Sequence, residues 1–247
     1  MQLSYAHGTG DVPLLGETIG RNLRRTAERV PDAPALVSRR QDVRLTYAQF
    51  EAEVDRAARA LIAAGLAKGD RLGVWSPNRS EWTILQYATA RAGVILVNMN
   101  PAYRTHELEF VLNQAGVRLL VAARSFKSSM YAEMIETVRP DTPQLEQVVI
   151  TDTEQWAALF VHDGDMARVR DRQHELSADD AINIQYTSGT TGFPKGATLS
   201  HHNILNNGYF VGRLCGYTDL DRVCIHRAAS TTSAVFSGSS QYPSITE

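Results

Sequence analysis

The chain has 247 residues, of which 43% are hydrophobic and 21% are charged, and its formal net charge is −2. This composition is that of an ordinary globular protein, and the length allows one large domain or two modest ones. The 25 basic and 27 acidic residues create no overall field that would recruit nucleic acid or an anionic membrane. We therefore expect a globular protein with no nucleic-acid partner.

The cysteines and the apolar segments bear on the compartment. Two cysteines, Cys215 and Cys224, are too few for a disulfide framework, which favours a reducing cytoplasm. Residues 1–16 lack the basic region and apolar run of a secretory signal. The most apolar segments, such as residues 92–97, are far too short to span a bilayer. The sequence thus predicts a cytoplasmic protein without a transmembrane segment.

The chain begins with a predicted helix and a predicted hairpin. Apolar residues recur at helical spacing over residues 16–30, which predicts an amphipathic helix. Residues 35–37 and 43–45 are predicted to form the two strands of a hairpin. Thr46, with Gln49 three residues later, is a candidate capping box that opens a long helix.

Strands and helices then alternate along the chain. Short apolar runs predict strands, and helical spacing predicts the helices between them, at residues 71–75, 80–92, 94–97, 105–115, 117–122, 129–138 and 147–150. Alternation at these lengths indicates βαβ units and a mostly parallel sheet covered by helices. We therefore expect an α/β fold over residues 14–225, with an irregular tail at residues 226–247.

A polar segment, residues 152–180, shows no sustained period and is interpreted as a connection. Asp179 and Asp180 at its end suggest acid chemistry, but acidic residues before a strand more often mark a turn. His201 and His202 suggest a metal site, but neighbouring residues on a helix diverge by about 100° and cannot hold one ion together. We assign no catalytic role to either pair.

One loop between two predicted strands concentrates hydroxyls, glycines and a single lysine. It follows a strand at residues 182–186 and precedes a short strand at 197–199 and a helix at 201–214 that Ser200 can cap. Glycines let backbone N–H groups face an anion, hydroxyls add donors, and lysine adds a mobile positive charge. This composition suits a polyphosphate, and we name residues 187–196 the phosphate loop: Thr187, Ser188, Gly189, Thr190, Thr191, Gly192, Phe193, Pro194, Lys195 and Gly196.

Two other interpretations fit the phosphate loop less well. A Walker loop requires glycine directly before the lysine, where this chain has Pro194. A generic Ser/Thr/Gly-rich surface turn requires neither this order nor a lysine behind a proline. The order resembles the signature Thr/Ser-Ser-Gly-Ser/Thr-Thr-Gly-x-Pro-Lys-Gly of the adenylate-forming superfamily. That superfamily comprises acyl-CoA synthetases, peptide-synthetase adenylation domains and luciferases.

Three further stretches resemble acyl-CoA synthetases, and medium- and long-chain fatty acid–CoA ligases in particular. They are residues 75–82, residues 93–104 and residues 199–204. The resemblance implies a two-step reaction on a fatty acid substrate. The carboxylate attacks the α-phosphate of ATP to give an acyl-adenylate and pyrophosphate, and the thiol of CoA then displaces AMP to give a thioester.

The same resemblance implies which residues bind the cofactors. Mg²⁺ would bridge the phosphates and contact Thr190, while Lys195 would orient the phosphates and assist the leaving group without acting as a base. No catalytic residue is assigned within this chain. The residues expected to hold the ATP phosphates are Thr187, Ser188, Gly189, Thr190, Thr191, Gly192, Pro194, Lys195 and Gly196.

Family members are much longer than this chain, and several of their features have no counterpart in it. These are the aromatic adenine-contacting motif, the acidic residue that binds the AMP ribose, the hinge, and the C-terminal domain with its adenylation lysine. We therefore expect the chain alone to be inactive. One alternative is a non-catalytic nucleotide- or acyl-binding remnant. Another, disfavoured by residues 98–104, is an adenylation domain for an amino or aryl acid.

The tail after Cys224 departs from the family pattern. Suitable codons for Ser230 to Gly238, read one base earlier, can spell Leu-Tyr-His-Phe-Gly-Ser-Val-Leu-Gly, which is close to what the family has there. We therefore expect a frameshift near His226, with residues 227–247 as non-native sequence. The alternative is a polar, disordered C-terminus on a short protein. Reading the coding DNA in all frames past this point distinguishes the two.

Overall fold

The computed structural model describes residues 10–160, 164–187 and 194–224 with their side chains, and residues 244–246 as backbone. The helices in these ranges are α1 (Ile19–Arg29), α2 (Tyr47–Ala63), α3 (Ser80–Ala92), α4 (Thr105–Ala115), α5 (Tyr131–Val138), α6 (Glu154–Leu159), α7 (Met166–His174) and α8 (His201–Leu214), with one 3₁₀ turn at Arg139–Asp141. The strands are β1 (Pro34–Ser38), β2 (Val43–Thr46), β3 (Arg71–Trp75), β4 (Ile95–Met99), β5 (Leu119–Ala122), β6 (Ser125–Phe126), β7 (Ser129–Met130), β8 (Gln147–Ile150), β9 (Ala181–Thr187), β10 (Lys195–Ser200), β11 (Arg222–Cys224) and β12 (Ser244–Thr246).

Six strands form a central sheet in the order β10-β9-β4-β3-β5-β8. The neighbouring pairs are parallel except β9 with β10, which are antiparallel and flank the phosphate loop. Because Trp75, Met99 and Ala122 pair in register at the ends of their strands, the strands finish at one common edge. We call it the carboxyl edge; in sheets of this kind, ligands bind beyond it.

Helices cover both faces of the central sheet. On one face, α4 and α5 pack on a buried apolar cluster that includes Trp75, Val97 and Leu120. On the other, α1, α2, α3 and α8 pack on a second cluster that includes Val74 and Leu96. Burial on both faces explains why strands such as β5 consist of consecutive apolar residues without alternation. The predicted α/β fold with a mostly parallel, helix-covered sheet is confirmed.

A smaller sheet has the order β11-β12-β1-β2. The predicted hairpin forms its antiparallel pair, β1 with β2, while β12 lies parallel to both β1 and β11. β12 lies in the tail, residues 226–247, which we expect to be irregular, and its three residues are the part of the tail that the structure describes. The division of the chain into residues 14–225 and 226–247 stays a prediction.

Both predicted helix caps are present. The N–H of Gln49 donates to Oγ1 of Thr46 at 3.3 Å, and the N–H of Thr46 donates to Oε1 of Gln49 at 2.9 Å. At α8, the N–H of Asn203 donates to Oγ of Ser200 at 3.2 Å, and the side chain of Asn203 accepts the N–H of Ser200 at 3.0 Å. Each cap satisfies N–H groups that have no partner within the helix.

The polar segment at residues 152–180 differs from the prediction because it contains α6 and α7. Neither helix has an apolar stripe: α6 has no buried residue, and Val169 is the one buried residue of α7. Their capping residues were the available signal. Thr153 and Asp165 accept N–H groups from the first turns of α6 and α7.

Candidate functional site

The two ends of the phosphate loop lie at the carboxyl edge of the central sheet. Thr187, the last residue of β9, pairs with Lys195, the first residue of β10, and Tyr186 pairs with Gly196. Pro194 directly precedes this pair. The structure thus places the described phosphate-loop residues where ligands collect in such sheets.

The remaining predicted phosphate-binding residues lie outside the described residues. Their role, and the Mg²⁺ contact assigned to Thr190, therefore stay predictions. They are Ser188, Gly189, Thr190, Thr191 and Gly192. In the described part of the chain, no group of three or more His, Cys, Asp or Glu side chains could hold a metal ion.

The side chain of Lys195 is exposed at the carboxyl edge. None of the ion pairs among the described residues involves Lys195. Its carbonyl oxygen lies 3.5 Å from the Thr187 hydroxyl across the ladder. A lysine ammonium at such a position can bind an anion without first breaking an ion pair with a carboxylate.

The glycine after this lysine lies close to two side chains of β9. A Cβ at Gly196 would lie 3.1 Å from Cζ of Tyr186 and 3.0 Å from Cγ2 of Ile184. Contacts of 3.0–3.4 Å are tighter than nine in ten real Cβ contacts, so these side chains would have to move by a few tenths of an ångström. The ring of Tyr186 therefore lies close to the backbone next to Lys195, and a Cβ at position 196 would displace it slightly.

The hydroxyl of Tyr186 reaches a helix far away in sequence. It donates to Oε1 of Gln114 on α4 at 2.9 Å, although the two residues are 72 positions apart. Burial raises the pKa of Tyr186, and burial with the neighbouring Tyr186 and Glu107 raises the pKa of Tyr103 to about 12. Both phenols are therefore protonated at neutral pH, and Tyr186 can act as the donor.

A second loop at the carboxyl edge, residues 100–104, is fixed by two stacked aromatic rings. Trp75 and Tyr131 stack with ring centroids 3.6 Å apart and planes at 8°. Nε1 of Trp75 donates to the carbonyl of Asn100 at 3.1 Å, and the Tyr131 hydroxyl donates to the carbonyl of Pro101 at 2.6 Å. This loop carries Tyr103 and so holds it beside Tyr186.

Asp180 and His201 lie away from the carboxyl edge, at the start of β9 and after the end of β10. The Asp180 carboxylate accepts the N–H of Ser177 at 2.8 Å and pairs with Lys68 at 2.8 Å, so it closes the predicted turn. His201 is fully buried, and its Nδ1 accepts the N–H of Ile19 at 3.2 Å. Both side chains thus make contacts that stabilise the fold.

The convergence of Tyr186, Gln114 and Tyr103 was missed in the sequence. Tyr186 directly precedes the phosphate loop, and its ring faces the same side of the sheet as Ile184. Gln114 is an exposed helix residue with no distinguishing neighbours. No sequence pattern predicts the hydrogen bond between Tyr186 on β9 and Gln114 on α4, because only the folded chain brings these distant residues together.

The fold is that of the N-terminal domain of an adenylate-forming protein. A family model described as "AMP-binding enzyme" matches residues 23–236. This match covers most of the chain, and the chain belongs to the AMP-binding enzyme family. The predicted resemblance to acyl-CoA synthetases is thereby confirmed at the level of the family.

Two relatives that are 44% identical to the chain are acyl-CoA ligases. The chain is 44% identical over 234 residues to the medium-chain acyl-CoA ligase ACSF2, mitochondrial, of Danio rerio, a match that covers 87% of this chain and 39% of the relative. The Homo sapiens protein of the same name is also 44% identical, over 232 residues, covering 85% of this chain and 38% of that protein. The chain thus spans less than half the length of these relatives.

The fold matches a solved structure from the same class. The N-terminal domain of FACL13 from Mycobacterium tuberculosis superposes with a TM-score of 0.77 at 27% identity. The alignment covers 94% of this chain and 57% of that chain. The described part of the chain therefore adopts the architecture of an adenylate-forming N-terminal domain.

The expected cytoplasmic location is wrong by this comparison, because the vertebrate relatives are mitochondrial proteins. The error has a physical cause. Few cysteines indicate a reducing environment, but the cytoplasm is not the only reducing compartment. Mitochondrial transit peptides are amphipathic and lack the apolar run of a secretory signal, so the absence of that run does not exclude mitochondria. Within the described ranges, no helix has the length and apolar character to cross a bilayer.

Proposed function

We propose that this chain supplies the ATP-phosphate-binding part of an AMP-forming fatty acid–CoA ligase. The observation that carries the proposal is the position of Lys195. Its ammonium is exposed at the carboxyl edge, opposite Thr187 and without an ion-pair partner among the described residues. Because the chain belongs to the AMP-binding family, we propose that this ammonium binds the phosphates of a nucleotide.

In this proposal the phosphate loop acts through charge and position. Adenylation gives an acyl-adenylate and releases pyrophosphate, so negative charge accumulates on the leaving phosphates, and a nearby ammonium stabilises it. Lys195 supplies this ammonium. The hydroxyls and backbone N–H groups of residues 187–192 orient the phosphates. Thr190 would contact the Mg²⁺ that accompanies ATP, an ion that proteins usually bind together with substrate phosphates.

The proposed substrate class is taken from the names of the relatives. The Danio rerio and Homo sapiens proteins are named medium-chain acyl-CoA ligases. We therefore propose a medium-chain fatty acid as the carboxylate substrate and CoA as the acceptor. A non-catalytic nucleotide-binding role is the second candidate, and the chimera described below distinguishes the two roles.

The first test uses the 247-residue chain with MgATP, CoA and fatty acids from hexanoate to stearate. We expect MgATP binding that Lys195→Ala weakens, and no acyl-CoA product. Product from the chain alone would contradict our view that further residues are needed. A chain that is folded but does not bind MgATP would contradict the proposed phosphate-binding role.

A second test asks whether the chain can serve as part of a complete ligase. Residues 14–224 would replace the matching part of the Danio rerio relative, with and without Lys195→Ala. We expect the chimera to form medium-chain acyl-CoA and the Lys195→Ala chimera to lose most of that activity. A folded chimera that binds MgATP but forms no acyl-CoA would favour the non-catalytic role.

A further inference from the structure

Among the strands that the structure describes, β10 is at the end of the central sheet and pairs with β9 alone. Its first four residues, Lys195 to Thr198, are exposed. An edge strand of this kind has hydrogen-bonding partners on one side only, and the N–H and C=O groups on its outer side are unpaired. The position of Lys195 therefore depends on how firmly β10 is held against β9.

The ring of Tyr186 lies beside the start of β10, where Cγ2 of Ile184 also packs. Tyr186 and Gly196 are direct partners in the ladder, and a Cβ at Gly196 would lie 3.1 Å from Cζ of the ring. Gly196 follows Lys195 in the chain, so the ring packs beside the backbone that carries the ammonium.

The hydroxyl of Tyr186 fixes the orientation of that ring. It donates to Oε1 of Gln114 at 2.9 Å. α4, which carries Gln114, is itself anchored by buried Leu108, Val111 and Leu112. The hydrogen bond thus connects the antiparallel pair β9–β10 to α4, which is anchored in the core.

We propose that Tyr186, held by Gln114, is a positioning residue that sets where Lys195 stands at the carboxyl edge. This inference rests on the proposed phosphate-binding function and adds to it a named support outside the phosphate loop. Tyr186 touches neither phosphate nor carboxylate in this account, and it acts through Gly196. Its loss should therefore weaken binding of phosphates and leave folding nearly unchanged.

The test measures binding of magnesium tripolyphosphate to the 247-residue chain by calorimetry. This probe carries phosphates without a nucleoside, so it reports on the phosphate loop alone. The variants are Tyr186→Phe, Gln114→Met and their combination. Tyr47→Phe is the matched control, since it removes a buried phenol hydroxyl at the start of α2.

We expect each single variant to weaken binding about fivefold, the typical effect of one hydrogen bond. The double variant should be no weaker than either single, because both remove the same contact. Tyr47→Phe should bind as the wild type does, and the urea midpoints of Tyr186→Phe and Gln114→Met should stay near that of the wild type.

The outcomes separate this inference from the proposed function. Wild-type binding that Lys195→Ala abolishes and Tyr186→Phe leaves intact would contradict the positioning role alone. Single-variant losses that multiply in the double variant would also contradict it. No binding by the folded wild type would contradict the proposed function, and the positioning role with it.

Discussion

Two positively charged side chains in this protein occupy opposite environments. Arg91 on α3 is fully buried, and its guanidinium contacts Glu51 at 2.7 Å, Asp55 at 2.6 Å and the carbonyl of Gly20 at 3.2 Å. Lys195 is exposed on an edge strand, with no ion-pair partner among the described residues. The first charge joins α1, α2 and α3 into one layer, and the second is available to a ligand.

This difference indicates that the buried charge contributes to stability, whereas the exposed charge is available for binding. A buried charge must be paired, because removing it from water costs several kcal/mol. An exposed charge at the edge of a sheet has no such requirement and contributes little to folding. We therefore expect substitutions at Arg91 to change stability and substitutions near Lys195 to change binding.

The largest effect on stability is expected for Arg91→Met. Of the ion pairs given above for Glu51 and Asp55, the change removes those with Arg91, while both carboxylates keep a contact with Arg24 among the described residues. Loss of one member of a buried ion pair typically costs about 3–5 kcal/mol. Urea unfolding followed by circular dichroism would measure it.

The matched control for Arg91→Met is Arg25→Met, which removes an arginine whose pair with Glu17 is largely exposed. We expect that variant to change the free energy of unfolding by less than about 1 kcal/mol. Equal losses for the two variants would contradict the contrast between buried and exposed charge.

A second effect depends on pH and involves His201. Burial lowers the pKa of its imidazole to about 4, from the ordinary 6.5, and Asp180 opposes the shift only partly. The unfolded chain therefore binds a proton that the folded chain excludes, and stability is full above pH 6.5 and falls towards pH 4. At pH 5 the expected loss is about 2 kcal/mol.

Unfolding of the wild type and of His201→Asn at pH 7 and pH 5 checks this. The variant should lose less stability than the wild type between the two values, whatever its stability at pH 7. His202→Asn, at the neighbouring position, should keep the wild-type pH dependence. If His201→Asn kept it as well, the buried imidazole would not be its source.

A smaller effect is expected for Gly196→Ala, because the new Cβ would lie 3.0–3.1 Å from Ile184 and Tyr186. Overpacking of this kind typically costs about 1–2 kcal/mol. The displaced ring should also weaken binding of magnesium tripolyphosphate. Gly16→Ala is the control, since a Cβ there would meet nothing within 4 Å; equal effects of the two changes would refute the close contact.

Much of the fold could be predicted because local signals agreed with the tertiary structure. The capping boxes at Thr46 and Ser200 and the apolar runs of β3 and β5 act over a few residues. The helices α6 and α7 were missed because they bury almost nothing, so their sequences carry no helical period.

The candidate site could be predicted only where it is continuous in sequence. The order of residues in the phosphate loop identified the family and placed Lys195 beyond a strand. The contact between Tyr186 and Gln114 could not be predicted, since two elements that are far apart in sequence create it. The burial of His201 against α1 was hidden for the same reason.

The most direct test of the account compares Lys195→Ala with Lys68→Ala. Both remove a lysine, but Lys68 is paired with Asp180 at the opposite edge of the sheet. We predict that Lys195→Ala changes the free energy of unfolding by less than about 0.5 kcal/mol. We also predict that it weakens binding of magnesium tripolyphosphate about tenfold or more, as expected for loss of a charge-assisted contact. Lys68→Ala should leave that affinity unchanged. Equal affinity of the wild type and Lys195→Ala would contradict the assignment of the phosphate site to this loop.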